Sequence, residues 1–118
     1  MPDAAFRSLA SEDDWAEAQA QSEKHPVLLF KHSSACPVSA KADREMQDVA
    51  SEGTLPVYKL VVQKSRGVSN AIAEALGIRH ETPQAIVLDD RTAIFDTSHF
   101  DVTADNVRNA VPSAASSN

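Results

Sequence analysis

The most restrictive feature of this chain is a short apolar segment that leads into its only cysteine. Residues 27–30 form a continuous apolar run of strand length, which is typical of a strand buried on both faces. A short polar loop follows, and then the pair Cys36-Pro37. Because proline at the first helical position gives up no hydrogen bond, this pair predicts a helix with Cys36 as its N-cap.

The rest of the chain alternates between strand and helix patterns. The predicted elements are a short strand or extended segment at 5–9, a helix from Ser11 to about Lys24, the strand at 27–30, a helix from Cys36 to near Gly53, a strand at 56–62, a helix from Val68 to Leu76, strands at 84–88 and 92–96, and a helix after Thr103. Strand–helix–strand units imply parallel pairing, whereas the closing hairpin adds antiparallel strands. We therefore expect an α/β fold with a central mixed sheet of about four to five strands flanked by helices.

Three of the predicted helices carry further local signals. Ser11 and Asp14 resemble a capping box, and Val102 and Val107 occupy the positions of a hydrophobic staple around Thr103. Apolar side chains at helical spacing predict the buried face of the helix that follows Cys36. These residues are Val38, Ala42, Met46 and Val49.

Length and charge limit the domain organisation and the partners. The 118 residues suit one domain, predicted at 1–111, with a Ser- and Ala-rich flexible tail at 112–118. The net charge of −6 argues against nucleic-acid binding, which needs a basic surface. No apolar run approaches the roughly 20 residues of a membrane helix, so no membrane partner is expected. A lone free cysteine and the lack of a signal-peptide pattern predict a cytoplasmic location.

Cys36 is the strongest candidate for chemistry. A sulfur at a helix start lies near unpaired N–H groups and the positive end of the helix dipole, and both favour the reactive thiolate. N–H groups of Val38 or Ser39 and the Ser39 hydroxyl are candidate donors to the sulfur. The alternative is a buried, inert cysteine. A cysteine-based phosphatase is excluded because it needs an arginine after five intervening residues, where this chain has Ala42.

Several segments resemble those of a known family. They are Phe30-Lys31-His32-Ser33 with Cys36-Pro37-Val38-Ser39, the segments 73–78 and 80–85, and Ser98-His99-Phe100-Asp101. This set is similar to the monothiol bacilliredoxins of the bacilliredoxin C type, within the thioredoxin-like superfamily, over roughly residues 27–111. Phe100 is a departure, since related sequences tend to carry tryptophan there.

The resemblance implies a monothiol thiol–disulfide oxidoreductase that removes bacillithiol, or a related small thiol, from mixed disulfides on protein cysteines. Cys36 would be the nucleophile, supported by Pro37, Val38 and Ser39, with Ser39 at the second position of the C-x-x-C pattern. Thr82-Pro83 would match the family's cis-proline segment beside the nucleophile. No bound cofactor is implied. Bacillithiol or another small thiol would be the co-substrate, and S-thiolated proteins the partners.

The remaining candidates are the histidines and one lysine. His32, His80 and His99 are possible supporting residues around Cys36, and His25 is read as a solvated helix end. The spacing of the four histidines predicts no metal site. Lys31 is expected at the surface where its strand ends. A non-enzymatic thioredoxin-like redox sensor or binding module, modified at Cys36, stays open as an alternative function.

Overall fold

The computed structural model describes residues 5–111, which form a mixed sheet with helices on both faces. In order, the elements are β1 (Arg7–Ser8), α1 (Glu12–Ser22), β2 (Val27–His32), α2 (Pro37–Glu52), β3 (Val57–Val61), α3 (Arg66–Leu76), β4 (Gln84–Asp89), β5 (Thr92–Ser98), a 3-10 turn (His99–Asp101) and α4 (Ala104–Ala110). Among these residues no helix is both long and apolar enough to cross a membrane. The tail predicted at 112–118 lies outside the described residues.

The sheet has five strands in the order β1-β3-β2-β4-β5. The central strand β2 is parallel to β3 and antiparallel to β4, and β4 and β5 form the predicted antiparallel hairpin. The expected α/β fold with a mixed sheet is therefore confirmed. Because Lys31 near the end of β2 pairs with Gln84 at the start of β4, the loop after β2 and the loop before β4 leave the sheet at the same end.

Each face of the sheet has its own apolar core. On the α1/α3 face, the core residues are Leu9, Trp15, Ala18, Val27, Leu29, Tyr58, Leu60, Val62, Val68, Ile72, Ile86 and Leu88. On the α2/α4 face, they are Leu28, Phe30, Ala42, Met46, Val49, Leu55, Val57, Ala85, Val87, Val102, Ala104 and Val107. Successive residues of β2 alternate between the two cores, which explains why its sequence is apolar without interruption.

The predicted caps are present at both ends of the described chain. The Ser11 hydroxyl accepts a hydrogen bond from the N–H of Asp14 at 3.1 Å. Asp14 in turn accepts from the N–H of Ala10, and this bond is the main reason that the pKa of its carboxyl is lowered. The Thr103 hydroxyl accepts from the N–H of Asn106 at 3.2 Å. Helix α1 ends at Ser22, two residues before the predicted Lys24, where the Ser22 hydroxyl donates to Gln19 O.

The buried face of α2 differs from the prediction at its first position. Ala42, Met46 and Val49 are buried as expected, but the first turn buries Ser39 and leaves Val38 only half-buried. Positions 38 and 39 lie at the two edges of the same stripe, and the edge that faces the loop after β2 is the buried one, where the Ser39 hydroxyl contacts Ser33 and His32. A polar side chain therefore begins the apolar face of α2.

Strand β2 continues beyond the predicted end at Phe30. Lys31 and His32 pair with Leu60 and Val61 of β3, so both belong to the sheet. The expectation of a surface position for Lys31 is wrong, because its side chain is fully buried. Alternation directs Lys31 to the α1/α3 face, where α3 covers it, and directs His32 to the α2/α4 face.

Candidate functional site

Cys36 closes the loop between β2 and α2 and begins the helix as predicted. Its backbone is extended, with φ −113° and ψ 124°, and Pro37 follows in the first turn. Cys36 O accepts from the N–H of Ala40 at 3.0 Å, which is the first intrahelical hydrogen bond. The cysteine is partly exposed, so a small disulfide can approach it, and the reading of Cys36 as a fully buried residue does not fit the structure.

The sulfur is not held by a capping hydrogen bond. The Cys36 side chain accepts none, so the expected donation from the N–H of Val38 or Ser39 is wrong. A thiol sulfur is a weak acceptor, and the extended cap forms without it. The first N–H groups of α2 nevertheless have no intrahelical partner and lie at the positive end of the helix, where they favour a negative charge.

Ser39 is fully buried beneath the loop that carries Cys36. Its hydroxyl accepts from the N–H of Ser33 at 2.9 Å and lies 2.9 Å from Nδ1 of His32. The His32 ring packs at 5.7 Å from the ring of Phe30. The residue at the second position of the C-x-x-C pattern thus fastens the loop to the helix.

Gln63 holds the same loop from the side of β3. Its side-chain carbonyl accepts from the N–H of Ser34 at 3.3 Å, and its amide donates to the Ser33 hydroxyl at 2.9 Å. The sequence reasoning missed Gln63. The available signal was its place just after β3, because the carboxyl ends of neighbouring parallel strands lie side by side.

Thr82 and Pro83 lie at the same end of the sheet as the Cys36 loop, immediately before β4. Their peptide bond is cis, as the family resemblance implies. Pro83 is buried and Thr82 is half-buried. Pro83 O accepts from the N–H of His99 at 2.9 Å, which joins this segment to the 3-10 turn after β5.

His80 takes part in a polar cluster on the other face of the sheet. Its Nδ1 lies 3.2 Å from Lys31 Nζ and 3.1 Å from the Ser69 hydroxyl. Burial and then the positive charge of Lys31 lower the pKa of His80. The structure therefore brings His80 to Lys31 on the α1/α3 face, whereas His32 contacts Ser39 on the α2/α4 face.

The other two histidines lie at the surface. His99 has a left-handed backbone with φ 59°, and its Nε2 lies 3.1 Å from a carboxylate oxygen of Glu81. Next to it Phe100 is 73% exposed, in a turn that packs against α2. At the exposed end of α1, the ring nitrogen Nδ1 of His25 lies 3.2 Å from the carbonyl oxygen of Pro26. Within 5–111 no three His, Cys, Asp or Glu side chains are grouped so as to hold a metal ion.

A sequence model of a known family matches this chain over residues 7–107. The family is described as monothiol bacilliredoxin BrxC. The match includes Cys36, Ser39 and the Thr82-Pro83 segment, together with all five strands of the sheet.

Solved structures give the same fold. A proposed oxidoreductase with a thioredoxin fold is 27% identical, covering 92% of this chain and 96% of its own, with a TM-score of 0.82. The thioredoxin of Fasciola hepatica is 12% identical, covering 88% and 94% with a TM-score of 0.72. Spinach chloroplast thioredoxin f, short form, is 15% identical, covering 94% and 93% with a TM-score of 0.72. The two thioredoxins share the fold with this chain at low identity.

Proposed function

The chain belongs to the monothiol bacilliredoxin family, and from this premise we propose that it removes bacillithiol, or a related small thiol, from mixed disulfides on protein cysteines. The observation that carries the proposal is a partly exposed Cys36 at the start of α2, with a buried serine where a dithiol enzyme has its second cysteine. The proposed partners are S-thiolated proteins and the small thiol. The proposed location is the cytoplasm, where a lone thiol stays reduced.

The first step is attack by the Cys36 thiolate on the small-thiol sulfur of the mixed disulfide. The old S–S bond breaks as the new one forms, and the substrate protein leaves as a thiolate that takes a proton from water. The N-terminus of α2 stabilises the attacking thiolate before the reaction. The first step leaves the protein substrate reduced and the small thiol attached to Cys36.

The second step restores Cys36. Ser39 cannot expel the small thiol, because a hydroxyl forms no disulfide and here it is engaged by the Cys36 loop. A second small-thiol thiolate therefore attacks the small-thiol sulfur, and Cys36 leaves as a thiolate. The product is the symmetrical small-thiol disulfide, whose reduction needs a separate reductant.

The direction of the hydrogen bond between Ser39 and His32 depends on which ring nitrogen of His32 carries the proton. The Ser39 oxygen already accepts from the Ser33 N–H. When His32 Nδ1 is unprotonated, it accepts the hydroxyl proton of Ser39. When Nδ1 carries a proton, it donates to Ser39 instead, and the Ser39 hydroxyl keeps its own proton.

The test is to incubate the protein with a bacillithiolated protein and excess bacillithiol, and to follow release of the modifier. A parallel reaction uses a glutathionylated protein with glutathione. We expect repeated turnover by the wild type and none by Cys36→Ser, with Ser34→Ala as the matched control in the same loop. Equal release of the small thiol by wild type and by Cys36→Ser would refute the proposed enzymatic activity. A single modification of Cys36 without turnover would indicate the redox sensor instead.

Replacing the buried serine tests the monothiol arrangement directly. Ser39→Cys places a thiol one helical turn after Cys36, so we expect an internal disulfide after mild oxidation, visible as a loss of two hydrogens in intact mass. Val38→Cys is the control, because this neighbouring position lies on a different side of the helix. If Val38→Cys forms a disulfide and Ser39→Cys does not, the side chains at positions 36 and 39 do not face each other as proposed.

A further inference from the structure

Lys31 is a fully buried amine at the end of the central strand, on the face of the sheet away from α2. Its Nζ donates to Ser69 O of α3 at 3.2 Å and lies 3.2 Å from Nδ1 of His80. Lysine is almost never fully buried unless its amine is paired. Here both partners that the structure shows are neutral, so this amine is held in place by hydrogen bonds.

Gln84 lies directly opposite Lys31 on the neighbouring strand, and paired residues project to the same face. Its side-chain amide donates to Arg79 O at 2.9 Å. The carbonyl oxygen of the same side chain, Oε1, is buried and has no hydrogen-bond partner among the described residues. Two paired strand residues thus hold two consecutive loop residues, because Gln84 binds Arg79 and Lys31 binds His80.

The chemistry of the contact fixes which atom carries the proton. A charged lysine has three N–H donors and no acceptor, so Nδ1 of His80 must be the acceptor and the ring proton sits on Nε2. The lowered pKa of His80 agrees with this neutral form. Ser69 lies 3.1 Å from the same Nδ1 through its hydroxyl, so helix α3, the loop and β2 meet at one ring nitrogen.

We propose that Lys31 is a positioning residue for thiol–disulfide exchange, which acts through His80 and beside Gln84 to fix residues 79–83 at the end of the sheet that carries the Cys36 loop. This inference rests on the proposed function and adds that the backbone around Thr82 and Pro83, which the family resemblance puts beside the nucleophile, receives the incoming disulfide. The segment links α3 to β4, and its position relative to β2 depends on these side chains. Lys31 itself lies on the face opposite α2 and does not touch the substrate.

The positioning depends on the charge of the amine. Burial lowers the pKa of Lys31 from 10.5 to about 8, so the amine is mostly charged at neutral pH and loses its proton in mildly alkaline solution. A neutral amine donates weaker hydrogen bonds than an ammonium group, so its hold on His80 weakens above that pH. Other charged groups near this face include Arg66 of α3 and Glu81 of the loop, which act on the pKa of His80, and Glu17 of α1 and Arg7 of β1, which act on the pKa of Tyr58.

The kinetic test compares variants that keep or remove each hydrogen-bonding atom. Lys31→Met removes the donor, His80→Leu removes the acceptor, and His80→Gln retains an acceptor oxygen. The substrate is a peptide carrying a mixed disulfide with bacillithiol. We expect KM to rise about tenfold for Lys31→Met and His80→Leu and to stay within about twofold of wild type for His80→Gln. Lys24→Met, at the exposed end of α1, is the matched lysine control.

A second readout separates positioning from folding. Alkylation of Cys36 by iodoacetamide does not use residues 79–83, so its rate should be unchanged in every variant that folds. Raised KM with an unchanged alkylation rate supports the inference. Unchanged KM in Lys31→Met and His80→Leu, or an equal loss in His80→Gln, would overturn it.

The third measurement needs no catalysis. In the Cys36→Ser protein, the amide resonances of residues 79–82 should shift together with an apparent pKa near 8, and Lys31→Met should abolish that transition. If the Cys36→Ser protein shows no such transition, Lys31 does not position residues 79–82, and this conclusion holds even if Lys31→Met fails to fold. Failure of the proposed function has a different signature, which is equal thiol release by wild type and Cys36→Ser.

Discussion

Two neighbouring side chains at the end of β2 lead to opposite faces of the sheet and to different polar sites. His32 is half-buried on the α2/α4 face and contacts Ser39, which fastens the loop that carries Cys36. Lys31 is fully buried on the α1/α3 face and contacts His80, in the loop that leads to Pro83. One strand therefore organises both loops at this end of the sheet, each from a different face. Variants that remove one contact at a time can separate the two contributions.

The largest expected effect comes from truncating the buried apolar residue that lies on the same face of the sheet as His32 or as Lys31. Phe30→Ala and Leu29→Ala each empty a fully buried position and should lower the free energy of unfolding by about 3–5 and about 2–5 kcal/mol respectively. Phe30 supports the His32 ring, whereas Leu29 faces the other core. We expect only Phe30→Ala to change the alkylation rate of Cys36 in the folded protein. Urea titration and alkylation kinetics check this, and equal rate changes would contradict the division into two faces.

The second effect is a pH dependence that belongs to the α1/α3 face. The pKa of Lys31 is lower in the folded protein than the ordinary 10.5, so the unfolded chain binds more protons between about pH 8 and about pH 10.5. The free energy of unfolding should therefore rise with pH across this window, by about 2 kcal/mol between about pH 7 and about pH 9.5. Lys31→Met should lack this rise. The comparison is made by urea titration in the Cys36→Ser background, where no thiol titrates, and an equal slope in both proteins would contradict it.

A smaller effect compares one buried serine on each face. Ser39→Ala removes contacts to the Ser33 N–H and to His32, and should cost about 2 kcal/mol. Ser69→Ala removes one side-chain contact, to His80, and should cost about 1 kcal/mol while its backbone carbonyl still holds Lys31. The rate of Cys36 alkylation adds a second readout, since only Ser39→Ala disturbs the Cys36 loop. A larger loss of unfolding free energy in Ser69→Ala than in Ser39→Ala would contradict this ranking of the two serines.

The smallest expected effect is at the helix caps. Ser11→Ala and Thr103→Ala each remove a capping acceptor, one on each face, and should each cost about 1 kcal/mol in urea titration. Both caps follow strands that end at the same end of the sheet as β2, but neither capping hydrogen bond involves the Cys36 loop, so thiol exchange should keep its wild-type KM. A changed KM in either variant would show that the site depends on general stability.

The sequence predicted the parts of the fold that depend on local pattern. The continuous apolar run of β2, the Cys36-Pro37 helix start and the Ser11 and Thr103 caps each follow from neighbouring residues, and the structure contains them. The errors lie where position depends on distant elements. Val38 was expected in the buried face of α2 because it is apolar and at helical spacing, but the first turn buries Ser39 against the loop after β2 and leaves Val38 half-buried.

The candidate site divides in the same way. Cys36 and the Thr82-Pro83 segment were recognisable, the first from its helix start and the second from family resemblance. Two of the contacts around them were not, because Gln63 follows a different strand and the contact of His80 with Lys31 joins residues 49 positions apart in sequence. Polar contacts of this kind leave no periodic signal in the chain.

The sequence by itself determined a single cysteine at a helix start and a serine three residues after it, because both depend on residues a few positions apart. Only the tertiary structure decided the surroundings of Lys31. Its place in the sequence is the end of a strand, where a lysine ordinarily reaches solvent. The pairing of β2 with β3 and β4 extends that strand, and α3 then covers the side chain. A burial that depends on three separate elements cannot be read from the residues next to Lys31.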